Sequence, residues 1–225
     1  MTFSIVARCP RTKQVGIAAV TAVPAVGKLL TWAYPRTGAI ATQAWINPYL
    51  GHDGITKLRE GLDAKQALDA VVLQDPDRDI RQVGIVDGQG NVAGWTGSKT
   101  SKWAGHITGP GYCVQGNLLV GHEPLHAMRD AFEADDGAPL AERLLTAIEA
   151  GEATGGDRRG ANSATVYVID TEVYPLWDLR VDDHKHPLKE VRRLYHVFEE
   201  LVVPHIVRLP KRDDPHGQPE PQALA

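Results

Sequence analysis

Phe3 and Ile5 alternate with Thr2 and Ser4 in the run Met1–Ala7, and this period of two predicts a strand at the head of the chain. Cys9-Pro10-Arg11-Thr12-Lys13 reads as a turn, and Gln14–Thr21 resumes as the second strand of a hairpin. Its run of Val15, Gly16, Ile17, Ala18, Ala19 and Val20 predicts burial on both faces, because small side chains let covering layers approach closely. A third strand of small residues spans Gly38–Ala44. Beyond Asn47-Pro48-Tyr49 the period changes: Ile55, Leu58 and Leu62 recur at helical spacing until Gly61 interrupts them. Asp63 and Gln66 then form a capping box ahead of Ala67, Leu68, Val71 and Val72, which predicts a second helix.

Asp75-Pro76-Asp77 closes this helical block, and strands return at Arg81–Asp87 and Val92–Gly97, joined by the turn Gly88-Gln89-Gly90-Asn91. The β-rich region continues through Trp103–His106 and Tyr112–Asn117. Pro124 opens a helix with Leu125, Met128 and Phe132 on one face, and a second helix from Pro139 carries Leu140, Leu144 and Ile148 and should end before Gly151. Strands follow at Ser163–Asp170 and Leu176–Val181, and Pro187 starts a last helix with the stripe Leu188, Val191, Leu194, Phe198 and Leu201. Elements arrive in blocks, without the steady strand–helix alternation of a parallel sheet. An α+β fold of two packed antiparallel sheets with helices outside them accommodates this order.

Composition narrows the functional classes. With 225 residues, 43% of them hydrophobic, the chain can bury a substantial single core over residues 1–209, whereas 210–225, rich in proline and charge, is expected to be a mobile tail. A net charge of −4 gives no basic footprint for nucleic acid, so a small soluble molecule is the expected partner. No apolar run is long enough to span a membrane and no signal region precedes the first strand, which predicts a cytoplasmic protein. Cys9 and Cys113 are too few for a disulfide framework or a paired zinc site. A homodimer is the default assembly only because it is the commonest one.

Thr2 carries the first candidate chemistry. Removal of Met1, usual before a residue as small as threonine, would leave a hydroxyl and a free α-amine on one residue. Such an amine titrates at about 7.7–8.0, so near neutral pH it can take the hydroxyl proton and activate the oxygen as a nucleophile. The plain alternative is a β-branched residue opening a strand.

Several segments resemble motifs of the domain of unknown function 1028 family, in order from Thr2 to about Glu200: Thr2–Ala7, Ala41–Ala44, Arg81–Asp87, Trp103–His106, Gln115–Asn117, Gly155–Gly160 and Asp178–His184. The resemblance implies the fold of N-terminal nucleophile hydrolases, a four-layer αββα sandwich, and a nucleophile at the mature N-terminus that cleaves amide bonds. Many such hydrolases expose the nucleophile by cutting a propeptide; here removal of Met1 alone would do so. Asn117 and Gln43 are then candidate oxyanion donors, with Gly116 offering a backbone N–H, although a buried amide can equally satisfy strand ends. Asp157 is a candidate to orient the Thr2 amine and Arg158 to hold a substrate carboxylate in a bidentate fork, against the plain reading of an ion-paired loop. Ser163 would complete the polar network, and His106 is a candidate substrate contact. No metal or other cofactor is implied: adjacent positions in Asp182-Asp183-His184-Lys185-His186 point to opposite sides of an extended segment, and the glycines at 155–160 lack the lysine and hydroxyl spacing of a phosphate loop.

The reading is thus an amidohydrolase acting on a small amide or peptide-like substrate through Thr2. The competing class is a non-catalytic protein that binds an acidic metabolite at the Asp157–Arg158 loop. A metal-dependent hydrolase built on the Asp182–His186 cluster is a third.

Overall fold

The computed structural model describes residues 2–101, 103–156 and 159–219. Within them, ten strands form two antiparallel sheets: β1 (Thr2–Arg8), β2 (Val15–Thr21), β3 (Thr31–Tyr34), β4 (Gly38–Ala44), β5 (Arg81–Asp87), β6 (Val92–Thr96), β7 (Gly105–Gly109), β8 (Tyr112–Asn117), β9 (Ser163–Ile169) and β10 (Trp177–Val181). One sheet has six strands in the order β10-β9-β2-β1-β8-β7, the other four in the order β3-β4-β5-β6. Helices α1 (Pro48–Arg59) and α2 (Ala64–Val72) fall between β4 and β5, α3 (Glu123–Glu133) and α4 (Leu140–Ala153) between β8 and β9, and α5 (Pro187–Val197) follows β10. The block order read from the sequence therefore describes the α+β architecture.

Alternation along the strands sorts side chains into three apolar clusters. Phe3, Ile5 and Ala7 of β1 join Leu144, Leu145 and Ile148 of α4 on one face of the six-stranded sheet. Val6 of β1 joins Ile17, Ala39, Ala41 and Val86 in a second cluster between the sheets. Ile40, Val83 and Ile85 form a third with Leu68 and Val72 of α2. Strands β1 and β2 are consequently buried on both faces, for β2 as its small residues predict.

Close approach explains Gly16. A Cβ there would stand 2.7 Å from Leu144 Cδ1 and 2.9 Å from the backbone carbonyl oxygen of Tyr167. Gly16→Ala is expected to destabilise the fold by about 1–3 kcal/mol through overpacking, read as a lower urea midpoint; an unchanged midpoint would show that α4 shifts freely on the sheet.

Local signals place most helix ends. Asn47 caps α1, accepting from Tyr49 N at 3.1 Å with Pro48 in the first turn, and Gly61, at φ 96°, takes the left-handed position after it. The Asp63–Gln66 capping box of α2 is formed in both directions. Two expectations fail. Helix α4 continues past Gly151 to Ala153, because this glycine serves packing: a Cβ would meet Met128 Cγ at 2.8 Å. Leu201 leaves the apolar stripe of the last helix and is 64% exposed, because the chain widens into a π turn over Phe198–Val202 that breaks the 3.6-residue period. Pro210 and Arg212, beyond α5, lie against the body: Tyr174 Oη donates to the Pro210 carbonyl at 2.9 Å and Arg212 N to Glu172 Oε2 at 3.2 Å. Among the described residues, no helix is long and apolar enough to cross a membrane.

Candidate active site

Register in the six-stranded sheet assembles a row of polar side chains. Thr2 pairs with Thr21 of β2 and with Asn117 of β8, and Thr21 pairs with Ser163 of β9. Directly opposed residues of an antiparallel pair project to the same face, so Ser163, Thr21, Thr2 and Asn117 line up across four strands on the side facing the second sheet. Ser4 and Gln115, two residues along β1 and β8, form the next row.

The layer between the sheets is apolar at the Val6 end and polar at the Thr2 end. Ser4 Oγ donates to Gln43 Oε1 at 2.6 Å and accepts from Gln115 Nε2 at 2.7 Å. Gln43 Nε2 donates to the Thr2 carbonyl at 3.2 Å and to Gln82 Oε1 at 2.8 Å, and Asn117 Nδ2 donates to the same Gln82 oxygen at 3.0 Å. Gln82 Nε2 in turn faces Thr96 Oγ1, Gly105 O and Gly116 O at 2.9–3.0 Å. Gln43 and Gln82, each engaged through both its oxygen and its nitrogen, fix one relative placement of the two sheets, whereas the buried Gln115 Oε1 has no hydrogen-bond partner among the described residues.

Within this frame Thr2 is half-buried, and its hydroxyl donates to Thr21 Oγ1 at 3.1 Å. It stands at the edge of a 240 Å³ cavity with Thr21, Thr42 and Gln43 on its polar side and Val26, Leu30 and Ile46 on its apolar side. A second cavity of 330 Å³ adjoins it across Ala44 and is lined by Asn117, Lys99 and Trp45. Five non-glycine residues among those described have left-handed backbone. Lys13 and Arg36 occupy hairpin turns, but Ala25 (φ 62°), Ala44 (φ 68°) and Leu118 (φ 56°) all line one or both of these cavities. Each such conformation costs on the order of 1–3 kcal/mol, and strain of this kind concentrates at ligand sites.

The loop behind Ala44 is held by a buried ion pair. Arg81 Nε donates to Asp75 Oδ2 at 3.0 Å and Arg81 Nη1 to the Trp45 carbonyl at 2.6 Å, while Asn47 Nδ2 donates to Asp75 Oδ2 at 2.8 Å. Burial by itself would raise the Asp75 pKa; hydrogen bonds from Asn47, Arg81 and the Asp77 N–H outweigh it and hold the carboxyl below its ordinary range.

The sequence candidates separate on this map. Thr2, Gln43 and Asn117 come together. Both Gln43 amide hydrogens are spent on Thr2 O and Gln82, so Gln43 positions Thr2, whereas Asn117 Nδ2 retains one hydrogen not committed to Gln82. Gly116 is required for packing, since a Cβ would meet Leu119 Cδ1 at 2.7 Å. Ser163 shares the polar row but its hydroxyl is engaged by the neighbouring loop, donating to Val23 O at 2.7 Å and accepting from Val26 N at 3.1 Å. His106 lines neither cavity. Its ring packs over Gly94, its Nδ1 lies 2.8 Å from Thr96 Oγ1, and desolvation pushes its pKa below the ordinary value. Asp157 and Arg158 lie outside the described residues. Among the described residues no group of three His, Cys, Asp or Glu side chains converges as a metal site; in the Asp182–His186 segment, His184 Nδ1 accepts from the His186 backbone N–H at 3.1 Å. Sequence reasoning assigned no role to Thr21, Ser4, Gln82, Gln115 or Lys28. The available signal was a glutamine within each of two strands whose neighbouring residues are largely apolar, Gln82 beside Val83 in β5 and Gln115 beside Val114 in β8.

Comparison with known proteins fits the order of motifs. The chain matches the family of unknown function DUF1028 over residues 2–191. It belongs to that family. The crystal structure of protein SPO2555 from Silicibacter pomeroyi is similar over 97% of this chain and 96% of that one, with 30% identity and a TM-score of 0.89. Anbu, an ancestral beta-subunit from Yersinia bercovieri, aligns over 88% of this chain and 97% of its own at 14% identity and a TM-score of 0.43. A Gly-1 mutant of Anbu from Hyphomicrobium sp. strain MC1 aligns over 89% and 98% at 13% identity and a TM-score of 0.45. No curated protein matches the chain.

Proposed function

We propose that this DUF1028 protein is a cytoplasmic amidohydrolase of the N-terminal nucleophile type, with its sheets and helices forming the αββα sandwich of that superfamily, and that Thr2 opens a small amide or peptide-like substrate. The observation that supports it is the placement of Thr2. It lies at the end of an interior strand, its carbonyl is tethered by Gln43, and its hydroxyl is half-buried at the edge of a cavity.

Once Met1 is removed, the neutral α-amine of Thr2 takes the proton from its own Oγ1 as that oxygen bonds to the substrate carbonyl carbon. The second Asn117 Nδ2 hydrogen stabilises the resulting oxyanion. Collapse of the tetrahedral intermediate breaks the C–N bond, the ammonium returns its proton to the departing amine, and the acyl group remains as an ester on Thr2. Water, deprotonated by the same amine, then releases the acid and restores the hydroxyl.

Intact mass and N-terminal sequencing, combined with an amide screen, test the requirement for a free terminus. Protein beginning at Thr2 should turn over and protein carrying an uncleaved N-terminal extension should not. Equal turnover by the extended protein would exclude the amine as the base.

A further inference from the structure

The cavity beside Thr2 pairs apolar walls with one charged side chain among the described residues, that of Lys28. Val23, Val26, Leu29, Leu30 and Ile46 supply most of its non-strand wall, and Lys28 is the charged residue that lines it. Lys28 is exposed, and no hydrogen bond or ion pair among the described residues engages its side chain. Lys99, at the adjoining cavity, differs in facing Asp79 Oδ2 at 3.3 Å.

The turn that carries Lys28 is fixed from several sides. Ala25 N donates to Asp182 O at 2.8 Å, Lys28 N to Ala25 O at 3.1 Å and Val26 N to the buried Ser163 Oγ at 3.1 Å. Thr31 Oγ1 donates to Gly27 O at 2.9 Å, and Gly27 sits so close to β9 that a Cβ would fall 2.8 Å from Thr165 Oγ1. Ala25 is held in its left-handed conformation within this turn. A backbone pinned in this way fixes the point from which the Lys28 side chain leaves the wall of the cavity that Thr2 also lines. An apolar chain buried against these walls with a free cation at the rim calls for a carboxylate on the same molecule.

We propose that the cavity selects an amide whose aliphatic acyl chain ends in a carboxylate, the monoamide of an aliphatic dicarboxylic acid, with the carboxylate on Lys28 and the amide carbonyl at Thr2. This assignment rests on the amidohydrolase reading for the identity of the reacting bond, but binding tests it separately from turnover. Calorimetry on Thr2→Ala, which cannot form the acyl-enzyme, compares succinic, glutaric and adipic monoamides with neutral hexanamide and cationic 6-aminohexanamide. At least one dicarboxylic monoamide should bind about tenfold or more tighter than either control. Lys28→Met should abolish that advantage, Lys28→Arg should restore it, and added salt should weaken it. Equal affinity for hexanamide, no binding by any monoamide, or monoamide affinity unchanged in Lys28→Met would each overturn the assignment. Binding that follows this pattern while the wild-type protein hydrolyses none of the bound amides would leave Lys28 as the carboxylate site and remove the hydrolase reading alone.

Discussion

Thr2→Ala should lower amide turnover to background, a loss on the order of 10⁶-fold if the whole covalent route depends on this oxygen, while the protein stays folded. The two effects separate because the side chain contributes little to the core. Thr2 is half-buried, its hydroxyl makes one hydrogen bond to Thr21, and the Gln43 contact is to its backbone carbonyl, which alanine keeps. The stability cost should therefore be that of one ordinary hydrogen bond, about 0.5–1.5 kcal/mol. Thr2→Ser keeps both the oxygen and the amine and should retain measurable turnover. Initial rates with the wild-type, Thr2→Ala and Thr2→Ser proteins, each of confirmed N-terminus, beside their thermal melts, give the comparison. Wild-type rates in Thr2→Ala would end the nucleophile assignment. Ligand binding that ignores Thr2 would then favour a non-catalytic protein that holds an acidic molecule.

Features that are local in the chain were legible before the structure. The capping box at Asp63 and Gln66 and the hairpin turns depend on neighbours a few residues apart, and each is formed. Strand β3 escaped because it is only four residues long and lies at a sheet edge, so the alternation of Trp32 and Tyr34 is too short to stand out. Gly151 misled because a glycine that lets Met128 approach looks, in sequence, like one that ends a helix. Of the residues the sequence offered, Thr2, Gln43 and Asn117 meet in the structure and Ser163 joins their row. Gln82 acquires meaning through partners on β4, β6, β7 and β8, brought to it by the packing of two sheets. No periodicity encodes that meeting. Nor does the sequence reveal that Ala25, Ala44 and Leu118 would share one strained neighbourhood, since none is a residue type that favours it.

Arg81→Met should be the most damaging single change to stability outside the apolar clusters, at about 3–5 kcal/mol near neutral pH. The Asp75 carboxylate would lose its guanidinium while its side chain, 4% exposed, stayed out of water. The Trp45 carbonyl would lose its donor at the same time, freeing the loop that separates the two cavities, so substrate affinity should fall together with stability. The pH dependence carries the diagnostic sign. In the wild-type protein the folded pKa of Asp75 is below its ordinary value of 3.8, so the stabilisation is complete above that value and is lost as pH falls through the folded pKa. In Arg81→Met the same buried carboxyl is shifted upward, and protonation relieves its penalty. The two stability curves should consequently begin to converge above the ordinary carboxyl pKa, as the variant's raised Asp75 takes up its proton, and go on converging as the pH falls through the lowered folded pKa of the wild type. Urea midpoints at neutral pH and at about pH 3.5 measure this convergence. Asp75→Leu combined with Arg81→Met should recover most of the loss, because an apolar pair leaves no buried charge behind. A gap that stays constant with pH, or a double variant as weak as Arg81→Met, would locate the stabilisation in the Arg81 contact to Trp45 and not in the ion pair.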